Sequence, residues 1–293
     1  MKKKANFSNI SIKVILTLLS VLCVFPFTTV LLGSFTSEIG LLKYGYTFIP
    51  KEPSLESYKL IFANPKQIID AYVLTIIVTV IGTLLGMIVM TSCAYVMSRD
   101  DFKYKKFLSF FVYFTMLFSG GTVASYIWIS RHLGLLDSIW ALILPIMVSA
   151  YNIFILRVAC KAVPFSLIES AKLDGASELY IFARIVVPLT KTGIATIAVL
   201  TMFTYWNDWY QSMMFMDNSK SATLQYYLVR ILDNVSFAKA HSSSSGGLSK
   251  MISVPDEGVQ MAVCVLAAGP MLCVFPFFQK YFVSGITVGS VKG

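Results

Sequence analysis

Six long stretches of the chain are free of charge or nearly so, at 14–33, 71–98, 107–130, 138–156, 192–216 and 258–279. Each reaches or approaches the roughly 20 residues that an α-helix needs to cross the hydrocarbon of a bilayer. Only the fifth carries a charged residue, Asp208. The pattern predicts an all-α polytopic membrane protein with six transmembrane helices. The first run follows Lys2, Lys3, Lys4 and Lys13; a signal peptide also opens on basic residues, but its apolar core is shorter, so the run reads as an uncleaved span. Residues 34–69, with Pro50, Pro53 and Pro65, are mixed and polar. They predict an exposed segment holding one short amphipathic helix around 55–62. In the segment 217–257, the apolar spacing over 223–232 is helical, whereas the serines and glycines of 241–250 read as a flexible polar loop.

Composition agrees with this reading. With 56% hydrophobic and 13% charged residues, the chain has too much apolar surface for one soluble domain. The formal charge of +9 raises nucleic acid as a partner, but the lysines are dispersed and form no basic stripe. Their placement instead sets topology. The short loop 99–106 holds Arg99, Lys103, Lys105 and Lys106, whereas the short loop opposite, 131–137, holds Arg131 alone. Basic loops resist translocation, so both termini, the 99–106 loop and the 161–191 loop are expected in the cytoplasm, with lipid as the surrounding partner. Cys23, Cys93, Cys160, Cys264 and Cys273 lie in or beside apolar runs without a C-x-x-C pair, which indicates packing rather than a disulfide or zinc site. His132 and His241 stand apart from any nucleophile or metal set, and the chain has no G-x-x-x-x-G-K-[ST] loop. Catalytic residues, metal ligands and ATP hydrolysis by this chain are therefore not expected.

The longest break on the expected cytoplasmic side, 161–191, is itself structured. It reads KAVPFSLIESAKLDGASELYIFARIVVPLTK. Ser166 and Glu169 have the spacing of a capping box at a helix start, and Gly175 suits a left-handed C-terminal cap. Ser177 with Glu178 opens a second helix, which Pro188 closes. A plain tether needs none of this.

The spacing Glu169, Ala171, Gly175, Ile185, Pro188 resembles the E-A-A-x3-G-x9-I-x-L-P signature of the membrane subunits of binding-protein-dependent ABC importers. Ser170 and Val187 replace its alanine and leucine. The motif falls between the fourth and fifth of six spans, as in that family. The ending from Gln279 to Gly293 and the pairs Leu156-Arg157 and Val163-Pro164 resemble carbohydrate-uptake members of the MalG-like type, so the resemblance covers nearly the whole chain. It implies a type I ABC importer permease fold in a bacterial cytoplasmic membrane. Its segments would be an N-terminal tail, first span and outer segment over 1–69, a core over 70–281 and a cytoplasmic tail over 282–293. It also implies a second, homologous permease as heterodimer partner, two ATPase subunits that bind the ATP and magnesium, and an extracellular solute-binding protein. Leu167, Ile168, Glu169, Ala171, Lys172, Asp174, Gly175 and Pro188 would form the coupling element against the ATPase.

In the fifth run, Tyr205, Trp206, Asn207, Asp208, Trp209 and Tyr210 stand together. Aromatic residues favour the membrane surface, yet an ionisable group within a span usually faces a bundle interior or watery cavity. Tyr205, Trp206, Asn207, Asp208 and Trp209 are accordingly candidates to line a substrate path, since rings stack on the C–H face of a sugar while amides and carboxylates bond its hydroxyls. Tyr151 and Asn152 in the fourth run are weaker candidates of the same kind, read first as ordinary interhelical packing and hydrogen bonding. Gly82 and Gly86 form a G-x-x-x-G ridge for close helix contact. An oligosaccharide permease is the resulting expectation. A permease for another solute, a secondary transporter independent of ATP and a membrane scaffold are the competing classes.

Overall fold

The structure, a computed structural model, describes residues 7–216, 222–244 and 257–290. Among the described residues the elements are helical, apart from an isolated antiparallel bridge between Thr36 and Pro53. Three helices among the described residues are long and apolar enough to cross a membrane unbroken, within Ile12–Gly33, Pro65–Ser98 and Glu257–Phe277. Three pairs of helices, each bent at a short break, are long and apolar enough together, which gives up to six spans if each pair is one. They lie in two compact units, one drawn from Met1–Pro65 and Leu228–Pro270, the other from Lys66–Tyr227 and Met271–Gly293.

The first unit begins with α1 (Phe7–Gly33), whose apolar side chains from Ile12 onward stand exposed, as a lipid-facing helix requires. The outer segment folds as two short helices, α2 (Glu38–Tyr44) and α3 (Glu56–Ile61). Only α3 matches the expected helix; α2 starts on a Ser37 side chain that accepts the Gly40 amide at 3.0 Å. Helix α3 is pinned to the foot of α1: the Ser34 and Tyr58 hydroxyls bond at 2.8 Å, and the Phe35 and Tyr58 rings stack. The buried Glu38 carboxylate accepts the first amides of the last helix, from Glu257 and Gly258, at 3.5 and 3.3 Å. A carboxylate there both satisfies orphan donors and meets the positive end of the dipole.

The second unit is built on α4 (Pro65–Ser98), which opens on the proline that a first helical position tolerates. The runs 107–130 and 138–156 are not single straight spans. The first breaks into α5 (Lys105–Leu117) and α6 (Gly121–Ile127), the latter widening into a π turn at Trp128–His132; the two parts meet at 112° where Gly121 has φ +79°. Glycine adopts that left-handed conformation without steric cost. The second breaks by 57° between α7 (Ile139–Ile143, continued by a tight turn at Leu144–Ile146) and α8 (Ala150–Lys161), where Pro145 lacks an amide and Ser149 caps the restart. Helices α9 (Phe165–Leu173), α10 (Glu178–Tyr180), α11 (Val187–Leu189) and α12 (Lys191–Trp206) follow. The fifth run also departs from expectation. Its helix stops at Trp206, and a short α13 (Tyr210–Phe215) begins after a three-residue break.

Lipid tails are as apolar as leucine, so spans associate by close packing rather than by escape from water. The second unit shows how. A Cβ on Gly82 would run into the Tyr205 ring, and one on Gly86 would meet the Met147 carbonyl oxygen at 2.6 Å. The G-x-x-x-G ridge thus seats a tyrosine and a helix break. At the loop end, Met90, Met97, Leu156, Ile181 and Ile197 form a fully buried core shared by α4, α8, the turn after α10 and α12.

Helix α14 (Leu224–Ser244) takes up the expected segment 223–232 from its second residue but runs on through 241–244, which were expected in a loop; the rest of that loop, 245–250, lies outside the described residues. The last helix, α15 (Glu257–Ser290), continues beyond the expected end at 279.

Candidate functional site

Residues 161–191 fold as a helical hairpin at one end of the second unit. The expected capping box does not form: Pro164 is the N-cap, its carbonyl accepts the Leu167 amide at 3.2 Å, and Ser166 lies inside α9. The fixed φ of proline starts the helix two residues earlier than the box requires. At the other end the local reading holds. Gly175 has φ +81°, its amide bonds Lys172 O at 3.0 Å, and the Ala176 amide bonds Ala171 O at 2.9 Å. These paired bonds form a Schellman cap. Ser177 then caps α10, accepting the Tyr180 amide at 3.3 Å. The second helix widens into a π turn over Ile181–Val186 and ends at Leu189, one residue past Pro188, where α12 leaves at 82°.

The face turned outward differs from the expected one. Ile168 is only 5% exposed and packs with the core that contains Val163 and Ile181, while Ala171 is half-buried against the same core. The 3.6-residue period places these two on the inner face. Glu169 is exposed, and no described residue pairs with it. Leu173 (89%) and Leu179 (76%) are the most exposed apolar positions of the hairpin, and Leu167, Phe165, Tyr180 and Leu189 are exposed as well. Leu173 and Leu179 were missed; Leu173 is five positions past Ile168, which on a helix is the opposite side. An open groove of about 810 Å³ runs along the hairpin between Leu167, Ser170 and Asp174 and Tyr180, Arg184 and Ile185.

Behind the hairpin lies a closed cluster of charge. Arg99, 6% exposed, donates to both Asp101 oxygens, to the Tyr95 hydroxyl at 2.9 Å and to the Glu178 carboxylate at 3.4 and 3.5 Å. Lys172 bridges the same two acids, 2.8 Å from Asp101 and 2.9 Å from Glu178. The Tyr95 hydroxyl donates to Glu178 at 2.8 Å, and the guanidinium lies over the Tyr95 and Phe165 rings at 5.6 and 5.8 Å. The Arg99 hydrogen bond, with Lys172 behind it, holds the Asp101 carboxyl far below the usual carboxylate range. Lys172, then Tyr95, lowers Glu178, and the bond to Asp101, followed by that to Glu178, raises Lys172. Exposed pairs such as Lys172–Asp101 contribute about 0–1 kcal/mol. Stripping the acids from a buried arginine costs more, about 3–5 kcal/mol, because a charge is left unpaired. The sequence signal for this cluster was an arginine and two aspartates directly after a span.

The other candidate residues divide. Asn152 and Asn207 share a groove of about 760 Å³, between the α7–α8 break and the end of α12, whose walls include Met90, Ser149, Thr201 and Thr204. Thr201, Thr204 and Asn207 recur at helical spacing, a signal the aromatic neighbours masked. Tyr205 and Trp206 are not on this wall. Tyr205 is 1% exposed, with its hydroxyl donating to Ile143 O at 2.9 Å, and Trp206 is 5% exposed. Asp208 is spent as a cap: its carboxylate accepts the Gln211 amide at 3.2 and 3.4 Å at the start of α13. Orphan amides at a helix start are ready partners for a carboxylate. Trp209 is exposed with its ring edge-on to Tyr210, and Tyr151 is exposed; neither lines the groove.

The family of binding-protein-dependent transport system inner membrane components matches residues 91–288. The chain is similar to the polygalacturonan/rhamnogalacturonan transport system permease protein YtcP of Bacillus subtilis (strain 168), 38% identical over 95% of this chain and 96% of that protein. It is also similar to the protein LplC of the same organism, 35% identical over 92% of this chain and 90% of that protein. Among solved structures, a chain of a bacterial ABC transporter involved in the import of the acidic polysaccharide alginate matches with a TM-score of 0.77 at 25% identity. That match covers 96% of this chain and 99% of the other.

Proposed function

The chain belongs to the binding-protein-dependent transport system inner membrane components, and from that premise we propose that it forms half of the translocation path for an oligosaccharide in an ATP-driven importer. Members of this family are multi-pass, non-enzymatic permease subunits of ABC transporters that work with a separate ATPase and a solute-binding protein. The finer assignments are part of the proposal. A second, related permease supplies the other half of the path, and both termini lie in the cytoplasm. Two ATPase subunits, carrying ATP and magnesium, receive the 161–191 hairpin. Glu169, Leu167, Leu173 and Leu179 form its contact face, whereas Ile168, Ala171, Gly175 and Pro188 shape the hairpin, and Lys172 ties it to the span behind.

The observation that carries the sugar reading is the groove at Asn152 and Asn207. Its lining side chains offer amides and hydroxyls beside the apolar Met90 and Phe203, and none is charged. Hydroxyl-rich cargo finds both donors and acceptors on such a wall, with apolar surface for its C–H faces. Closure of the ATPase dimer moves the hairpin and α12 with it, exposing the groove outward to cargo released by the binding protein; hydrolysis returns it inward. Rigid-body movement of this kind needs no chemistry from the permease.

Cysteine labelling in the assembled transporter tests this. Asn152→Cys and Asn207→Cys should react with a small charged thiol reagent at rates that change when ATP is added, and the binding protein loaded with an oligogalacturonide should slow the reaction. Tyr205→Cys should stay unreactive. Labelling of Asn207→Cys that ignores both nucleotide and sugar would contradict the proposal.

A further inference from the structure

We propose that Arg99 is a positioning residue that joins the 99–106 turn and both helices of the coupling hairpin into one rigid body, so that a push on α9 reaches α4 as well as α12. The inference rests on the reading that the hairpin receives the ATPase. Its grounds are geometric. The guanidinium is 6% exposed and touches four parts of the chain at once: Tyr95 on α4, Asp101 in the turn, Phe165 on α9 and Glu178 at the start of α10. Lys172 closes the ring from α9 to the same two acids. Two positive and two negative charges therefore balance, and the connection is made of side chains rather than of the peptide backbone alone.

Without this cluster, α9 would be linked to the rest of the unit mainly by its inner face at Ile168 and by its two chain ends. The Gly175 turn is closed by the two backbone bonds of its cap, Gly175 to Lys172 O and Ala176 to Ala171 O, and the glycine contributes no side chain of its own to hold the two helices together. The cluster spans that turn, with Lys172 before it and Glu178 after it, and so fixes the angle between the two helices. A planar guanidinium can hold Asp101 by two donors, reach Glu178 and lie over two rings. An ammonium group offers no such fork.

The experiment uses the complete transporter in proteoliposomes, with the five native cysteines replaced and Asp101→Cys and Lys172→Cys introduced together. Unbridged, this variant should still co-purify with the ATPase and hydrolyse ATP, with sugar imported per ATP reduced about tenfold. A short bis-methanethiosulfonate bridge between the two cysteines should restore that ratio to within about twofold of the cysteine-free parent, and a reductant should abolish the rescue. A normal ratio before bridging, or no recovery after it, would overturn the proposal. Arg99→Lys is the second variant; it should lower the ratio with the ATPase still bound, and a parental ratio would also overturn the clamp. If the parent itself shows no ATP-dependent uptake, the failure belongs to the functional reading instead.

Discussion

Gly86 packs its α-carbon so close to the Met147 carbonyl that a methyl group would sit 2.6 Å from the oxygen. Backbone at a helix break cannot yield as a flexible side chain can, so Gly86→Ala is expected to destabilise the protein by about 1–3 kcal/mol. A thermal melt in detergent would read this as a lowered Tm, with Gly269→Ala, where a Cβ would meet nothing within 4 Å, as the control that does not lower it, since alanine is the better helix former. The ridge of Gly82 and Gly86 was legible because small residues four apart announce close packing. Its occupants were not. Tyr205 belonged by sequence to a run of aromatic and polar residues that pointed to a cavity, yet its hydroxyl finds a carbonyl freed by the α7 bend and its ring fills the space over Gly82. A side chain's neighbours across the bundle are not written in its own helix. At the opposite extreme of exposure, Leu173→Ser should leave the melt unchanged, because the residue is 89% exposed, while sharply reducing co-purification of the ATPase; unaltered co-purification would remove Leu173 from the contact face.

The hairpin shows which signals act locally enough to be read. Gly175 and Ser177 specify a cap and a restart through their own backbone and side-chain bonds, and both appear as expected. Ser166 and Glu169 had equally good spacing, but Pro164 starts the helix first, so the register shifts. Likewise the absence of charge alone did not reveal the bends at 118–120 and 147–149, although Gly120-Gly121 and Pro145 mark them in the sequence. The charges behind the hairpin give it a defined pH range. Asp101 titrates lower in the folded protein than in the unfolded chain, so its contribution is fully present above the ordinary value of about 4 and is lost only as pH falls through its depressed native value. Lys172 is raised, so its contribution is fully present below the ordinary value of about 10.4 and fades as pH rises through its higher native one. Spin labels at Lys103→Cys and Leu173→Cys, in the same cysteine-free background, should therefore report one distance from pH 5 to pH 9. A change within that range would mean the cluster is not what sets the spacing of the turn and α9.

At the scale of the whole molecule, the helical class, the six-run pattern and the family motif were open to reading because hydrophobic runs and loop signatures are linear features. The candidate groove was only partly legible, since Asn152 and Asn207 come together across two helices while Asp208 turns away to cap a third. The loops 99–106 and 161–191, expected on one side from their basic residues, meet through Arg99, Lys172 and Glu178, and this is where the proposed function places the force from an ATPase. The chain's part in that account is a moving wall, not a motor. The most direct test is uptake of a labelled oligosaccharide into proteoliposomes holding this chain, the proposed partner permease and the ATPase. Uptake should require both ATP inside and the loaded binding protein outside, and should stop when either is withheld. Uptake by this chain alone on an ion gradient, without ATP or binding protein, would contradict the account.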